Sequence, residues 1–420
     1  MKRTDEVFGM SNEILPDSYV DRRALDADLK RLIGRRVHIA IRGPSKCGKS
    51  WLRQKAVPDA IVVQCRLGYT NIDIYTAALA HLGVSLTIET TDKFGMKGTV
   101  EAQASAGNDL IGKVALKMGL ETSGERQNKS VQVGRNITDL KFITELIKAS
   151  GRKLIIEDVH YMSIDQREIL SFDLKTMWDL GCFAILVGVW GTSNMFVRHN
   201  PELSGRVHEL SIEWGPDDLS SIIEKGSKAL KISFSSQIKS KAVIDAFGNA
   251  GLLQRLILAT LDERGIDQEQ ETLTNINEID AYDGAAMMVA DQLNGVYLKF
   301  AERVAAGIRT RQDATGIYAH AMSAVLEAAD VLHMTGISVD HIYDVSHARQ
   351  QRIQKSNLKS ILAKIDGLQV DQEGRGLVIT YNQDEECVLN VDRQLLFYRK
   401  YLTMRWPWEE LIAEADQIKD

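Results

Sequence analysis

The chain has 420 residues, 44% hydrophobic, 26% charged and 6% aromatic, with only 6 prolines. That length suggests two or three domains, and that composition excludes disordered, collagen-like and mucin-like chains. The formal net charge of −6 argues against attraction of the whole chain to nucleic acid while allowing a local basic face.

Val37–Arg42 is the first apolar-rich run, followed by Gly43-Pro44-Ser45-Lys46-Cys47-Gly48-Lys49-Ser50 and a helix-like stretch from Trp51 to Ala56. A second apolar run, Ala60–Cys65, reads as a buried strand, and Asn71–Leu82 carries apolar residues at helical spacing. This alternation predicts a parallel sheet with crossover helices. Residues from about 91 to 135 interrupt it. There Thr99–Ala104 and Lys113–Met118 alternate in part, which reads as an inserted β-hairpin or flap, with a disordered linker as the alternative. The rhythm resumes with a helix over Ile137–Ser150, the run Lys153–Asp158, a helix over Gln166–Leu180, the run Cys182–Trp190 and a strand over His208–Trp214.

From Gly215 to about residue 335 the pattern is almost entirely helical. Leu219 to about Leu261 would make a compact subdomain, and Ile276–Asp330 holds two longer helices broken near Arg309–Arg311. Short helices at Val339–Tyr343 and Asn357–Ile365 then precede two β-like runs, Leu377–Tyr381 and Cys387–Val391, the order of a winged helix.

Gly43–Ser50 fits GxxxxGK[ST] in full and stands between an expected strand and an expected helix. Such a loop wraps its backbone around phosphate, with inward N–H groups and a positive helix N-terminus. Gly43, Pro44, Ser45, Lys46, Cys47, Gly48, Lys49, Ser50 and the adjoining Trp51 are the expected nucleotide contacts. Lys49 reaches the β- and γ-phosphates, and the Ser50 hydroxyl ligates Mg²⁺. Hydrolysis needs in addition an acidic pair at the end of a neighbouring buried strand. Leu154-Ile155-Ile156-Glu157-Asp158 supplies it, with Glu157 assigned to magnesium and Asp158 to water activation, or the two roles exchanged. Thr192, Ser193 and Asn194, after the next strand, are candidates to sense the γ-phosphate. Arg206 is a candidate arginine finger toward a neighbouring subunit, and Arg198 is its competitor.

Together, Tyr19-Val20-Asp21-Arg22, Gly43–Ser50, Ile155-Ile156-Glu157-Asp158 and the helical segment that follows resemble the STAND ATPases and their AAA+ relatives of the Orc/Cdc6 type. The resemblance covers roughly residues 15 to 270 and extends to the winged-helix candidate. It implies that Val20 and Arg22 lie on the adenine side. It also implies an ATP-dependent switch that assembles into oligomers, often in signalling or in bacterial defence against phage. The chain lacks the long repeat sensor and fused effector of typical STAND proteins, so a separate sensor or effector protein is the expected partner.

The expected fold class is therefore α/β, a P-loop parallel sheet with a helical lid, followed by helices and a winged-helix-like module. The expected division is an ATPase core over 1–214 with its insertion at about 91–135, a lid over 215–270, a connector over 271–335 and a C-terminal module over 336–420. Arg349, Arg352, Lys355 and Lys359 fall in a stretch without acids, and Arg375 would sit at the wing, so DNA is a candidate partner. No run approaches the roughly 18 unbroken apolar residues of a membrane span, and the charged start has no secretory core. Four cysteines lie far apart without metal spacing. The expected setting is cytoplasmic, without membrane contact. ATP and Mg²⁺ are the expected cofactors. The rival readings are a DNA-acting AAA+ ATPase, of the transposition-regulator or origin-binding kind, and a non-catalytic ATP-binding scaffold.

Overall fold

The computed structural model describes residues 1–22, 24–66, 68–92, 95–102, 105–119, 130–134, 137–191, 193–306, 316–370, 377–383, 385–401, 405–409 and 412. The chain packs as two compact units. The first comprises Arg23–Arg42 and Lys49–Ile212; the second comprises Met1–Arg22, Gly43–Gly48 and Glu213–Asp420.

The first unit is built on a parallel sheet of five strands. In chain order its strands among the described residues are β1 (His38–Arg42), β2 (Ala60–Gln64), β3 (Val84–Asp92), β4 (Gly95–Ala102), β5 (Ser130–Gly134), β6 (Lys153–Glu157), β7 (Ile185–Gly188) and β8 (Val207–Ser211). The central sheet runs β2-β6-β7-β1-β8, every neighbouring pair parallel. Ile39–Ile41, Leu154–Ile156 and Ile185–Val187 are buried, which is why these strands read as unbroken apolar runs rather than alternating ones. Helices Lys49–Ala56, Asn71–Ala80, Ile137–Ala149 and Ile164–Asp179 connect them. Two helix starts are fixed by side chains: Thr70 accepts from the Asp73 amide, and Ser163 accepts from the Gln166 amide.

The insertion differs in part from expectation. β3, β4 and β5 form an antiparallel three-stranded sheet in the order β3-β4-β5. Thr99–Ala102 belongs to β4, but Lys113–Met118 is not a strand; it ends the helix Ser105–Met118. Ile111, Val114 and Ala115 are buried at three- and four-residue spacing, so the helical period prevails over the partial alternation. The remainder of that expectation, at 93–94, 103–104, 120–129 and 135, lies outside the described residues.

The second unit is mainly helical. Its helices include Pro216–Leu230, Ser236–Asp245, Ala250–Glu263, Ile279–Ala306 and Ile317–Glu327. The nearly all-helical expectation for 215–335 misses one feature: β9 (Ile232–Phe234) and β10 (Thr274–Ile276) form a parallel pair. The expected break near Arg309–Arg311 lies outside the described residues. Phe8, from the N-terminal helix Thr4–Phe8, fills the space over Gly226, where a Cβ would meet its ring at 2.2 Å.

Toward the C-terminus come β11 (Ile337–Ser338), helices Val339–Arg349, Lys355–Leu362 and Ile365–Gln369, then β12 (Ile379–Asn382), β13 (Cys387–Asn390) and helix Gln394–Tyr401. The three strands form an antiparallel sheet, β11-β13-β12. The buried Gln369 side chain accepts from the Val378 and Ile379 amides, both at 2.9 Å, which anchors the hairpin's entry. Asp245 is fully buried and accepts from Tyr282 Oη (2.9 Å), Tyr401 Oη (2.7 Å) and Lys400 Nζ (2.6 Å), joining three helices of this unit. Trp406 and Trp408 are buried and stacked on each other, a packing anchor.

His38, at the head of β1, supplies a test of the sheet unit. It is buried, its Nδ1 accepts from the Ala184 amide (3.0 Å), and its Nε2 donates to the Leu174 carbonyl (2.8 Å). Both ring nitrogens are thus satisfied by the neutral imidazole, and burial pushes its pKa down from 6.5 to about 4. The unfolded chain takes up the proton first, so this stabilisation is complete above pH 6.5 and is lost as the pH falls toward 4. Across that window it amounts to about 3 kcal/mol. The melting temperature of the protein should therefore fall more steeply from pH 6.5 to 4 than that of His38→Gln; parallel curves would contradict the assignment.

Candidate nucleotide site

The carboxyl ends of the parallel strands in the first unit carry most of the expected chemistry. β1 ends at Arg42, and Lys49 and Ser50 open the helix Lys49–Ala56. Glu157 closes β6 and is paired in register with Gln64 of β2 and Val187 of β7. Its carboxylate is buried and ion-paired, with Arg53 Nε 3.0 Å from Oε1. Asp158 follows in the left-handed region at φ 58° and accepts from Gln64 Nε2 at 3.0 Å. The two acids therefore point to different partners, one toward the helix that follows the loop and one toward β2.

His160 lies two residues beyond Asp158. Its Nδ1 accepts from the Val189 amide at 3.3 Å, tying the acid-bearing segment to the end of β7. Burial, followed by the nearby Lys49 and Arg167 cations, pushes its pKa down to about 3, so the ring is neutral at physiological pH. Past β7, Arg42 donates to the Gly191 carbonyl (3.1 Å) and Ser193 Oγ (3.1 Å), and its Nε is 2.8 Å from Glu209 Oε1. Glu209 Oε2 in turn accepts from Trp190 Nε1 (3.2 Å) and the Asn194 amide (3.0 Å). Asn194 is left-handed at φ 55°, and this network holds it there. Thr192 lies outside the described residues.

Of the two finger candidates, Arg198 donates from Nε to the Ser193 carbonyl at 3.2 Å. Arg206 donates from Nη1 to the Glu202 carbonyl at 2.6 Å, and its guanidinium lies 4.7 Å over the Trp178 ring. Trp51 is half-buried.

In the second unit Arg22 is linked to Gly43–Gly48 through Trp214. Arg22 lies 4.7 Å over the Trp214 ring, and the Trp214 indole donates to the Cys47 carbonyl at 2.8 Å. Lys46 Nζ lies 3.5 Å from Gln394 Oε1. The Ser18–Arg22 segment is fastened by Lys225 Nζ donating to the Tyr19 carbonyl (2.7 Å) and by Gln254 Nε2 donating to Ser18 Oγ (3.0 Å). A cleft of about 390 Å³ opens there, lined by Tyr19, Val20, Asp21, Ser221, Glu224, Lys225 and Lys228.

The basic residues of the C-terminal stretch are largely matched by acids. Arg349 pairs with Glu327, Lys355 with Asp340 and Lys359 with Glu386. These partners come from outside the acid-free stretch, so the sequence run alone overstates its free positive charge. Arg352 is exposed, and Arg375 lies outside the described residues.

The donor set fits magnesium held jointly with a nucleotide. Ser50 offers a hydroxyl and Glu157 a carboxylate, while no group of three or more His, Cys, Asp or Glu among the described residues would form an all-protein cage. Motif reading named Lys49, Ser50, Glu157 and Asp158 and did not name Arg53, Gln64, His160 and Glu209, which the structure places in contact with the strand-end groups. Each acts by a contact to a residue distant in sequence, and only the strand order brings them together.

Compared with known families and with curated proteins, the chain matches none by sequence. Among solved structures it is similar to Cdc6p from Pyrobaculum aerophilum, with 13% identity, 99% of each chain covered and a TM-score of 0.40. It is also similar to the Orc1 protein of Aeropyrum pernix in complex with DNA, with 11% identity, coverage of 98% and 97%, and a TM-score of 0.40. A third similar structure is the STAND protein with a tetratricopeptide-repeat sensor from Pyrococcus horikoshii. That match has 13% identity, covers 94% of this chain and 44% of that one, and has a TM-score of 0.36.

The Arg53–Glu157 pair generates a stability test. Arg53→Met leaves a buried carboxylate without its cation and should cost about 3 kcal/mol or more in denaturant unfolding. The double variant Arg53→Met, Glu157→Leu should recover most of that loss. Equal losses in the single and double variants would show that the two charges do not compensate each other.

Proposed function

We propose that the protein is a Mg²⁺-dependent P-loop ATPase of the STAND/AAA+ kind that acts as a nucleotide-controlled oligomeric switch. One observation carries this reading: GxxxxGK[ST] stands between a central parallel strand and a helix, in a sheet whose β6 ends in an acidic pair. Loop amides and Lys49 hold the phosphates, and Ser50 with Glu157 holds the cation, which when bound offsets phosphate charge. Asp158, oriented by Gln64, accepts a proton from the attacking water as the bond between the γ-phosphorus and its bridging oxygen breaks and ADP leaves. Ser193 and Asn194, fixed by Arg42 and Glu209, sense the γ-phosphate. Arg206 or Arg198 completes the site of an adjoining subunit.

In this reading residues 1–214 are the ATPase core, 215–270 the lid, 271–335 a connector and 336–420 a winged-helix-like module. A separate sensor or effector couples the switch to signalling or defence, a role the sequence resemblance supports. Calorimetry and phosphate release test the reading together. Lys49→Ala should weaken Mg-ATP binding at least a hundredfold. Asp158→Asn should bind Mg-ATP within a few-fold of wild type and lose turnover by a factor of a hundred or more. Turnover preserved in both variants would refute the assignment.

A further inference from the structure

The loop's outer face carries a set of contacts that the motif does not anticipate. Three consecutive carbonyls each accept a hydrogen bond from the second unit's own residues. Asn249 Nδ2 donates to the Ser45 carbonyl (2.9 Å), the Gly251 amide to that of Lys46 (3.1 Å), and the Trp214 indole to that of Cys47 (2.8 Å). Asn249 is fully buried, and its Oδ1 accepts from the Leu252 amide at 3.0 Å as the cap of helix Ala250–Glu263. That acceptor role fixes the amide's other end as the donor to the loop. Gly251 tolerates no side chain, because a Cβ there would lie 2.8 Å from the Lys46 carbonyl oxygen.

The consequence follows from peptide geometry. In a planar trans peptide the carbonyl and the next residue's N–H point in opposite directions. Holding the carbonyls of Ser45, Lys46 and Cys47 on one side turns the amides of Lys46, Cys47 and Gly48 to the other. The loop is also strained: Lys46, which is not glycine, has φ 60°, beside Gly48 at 85°. Such a conformation costs of order 1 kcal/mol and persists where its surroundings impose it. We infer that Trp214, Asn249 and Gly251 are positioning residues that set the phosphate-receiving shape of Gly43–Gly48 before nucleotide arrives. This inference rests on reading the loop as a phosphate site, as proposed above.

Two variants separate the staple from general stability. Asn249→Asp keeps a cap acceptor but loses the donor to Ser45, and Trp214→Phe keeps an aromatic ring beside Arg22 but loses the donor to Cys47. Hydrogen exchange in the nucleotide-free protein should quicken at least fivefold at the amides of residues 46–48 in both, with helix Ala250–Glu263 as protected as in wild type. Binding of Mg-ADP and Mg-ATP should weaken about tenfold, and by the same factor for the two nucleotides. If wild type binds nucleotide and both variants bind within twofold of it, the inference is overturned. If wild type binds no nucleotide, the ATPase reading falls, and exchange alone decides: unchanged rates at 46–48 overturn the staple, and locally quickened rates sustain it as a holder of the loop.

Discussion

The proposed phosphate loop turns consecutive amides to one side and their carbonyls to the other without a ladder of its own. In a helix or sheet those carbonyls would be satisfied by the ladder, but in Gly43–Gly48 they need separate donors. Trp214, Asn249 and Gly251 supply them. The segment accordingly packs with Glu213–Asp420, while the strand before it and the helix after it pack in the sheet unit. One helix of the second unit supports this fastening. Asn249 is placed by its own helix cap, and that helix is packed in the core that includes Leu252, Leu253 and Leu256.

The sheet unit manages a different constraint, the charge collected at the carboxyl ends of parallel strands. Three charged groups there have defined partners: Glu157 with Arg53, Asp158 with Gln64, Arg42 with Glu209. Glu157 and Arg53 are buried, so each would be costly alone and the pair is held together strongly. The Asp158 contact lies nearer the surface and can exchange its partner at lower cost. One carboxylate is thus fixed and the other adjustable, as the proposed metal-side and water-side roles require.

Much of the sheet unit was legible in the sequence, for a clear reason. Strands buried on both faces are short apolar runs, and those at Val37–Arg42, Ala60–Cys65 and Lys153–Asp158 fall on β1, β2 and β6 to within a residue at each end. The phosphate motif was equally plain because its residue types are dictated by local backbone geometry. Lys113–Met118 was misread because Val114, Leu116 and Met118 fit a two-residue alternation, although Ala115 is buried and Leu116 is exposed. β9 and β10 were missed because a three-residue pair has too little pattern to detect. The partners Gln64, Arg53, His160 and Glu209 in the sheet unit, and Trp214 and Asn249 in the second unit, were not legible at all. Their roles depend on which strand neighbours which, and on contacts spanning many residues.

The central claim is that Gly43–Ser50 receives a nucleotide's phosphates on amides whose direction is set from behind. A crystal structure grown with magnesium and a non-hydrolysable ATP analogue tests it most directly. The account predicts phosphate oxygens on the amides of residues 46–48 and on Lys49, the metal on Ser50, and the three carbonyl contacts of Ser45, Lys46 and Cys47 retained. A nucleotide bound elsewhere, or a loop whose carbonyls had turned toward the phosphates, would contradict it.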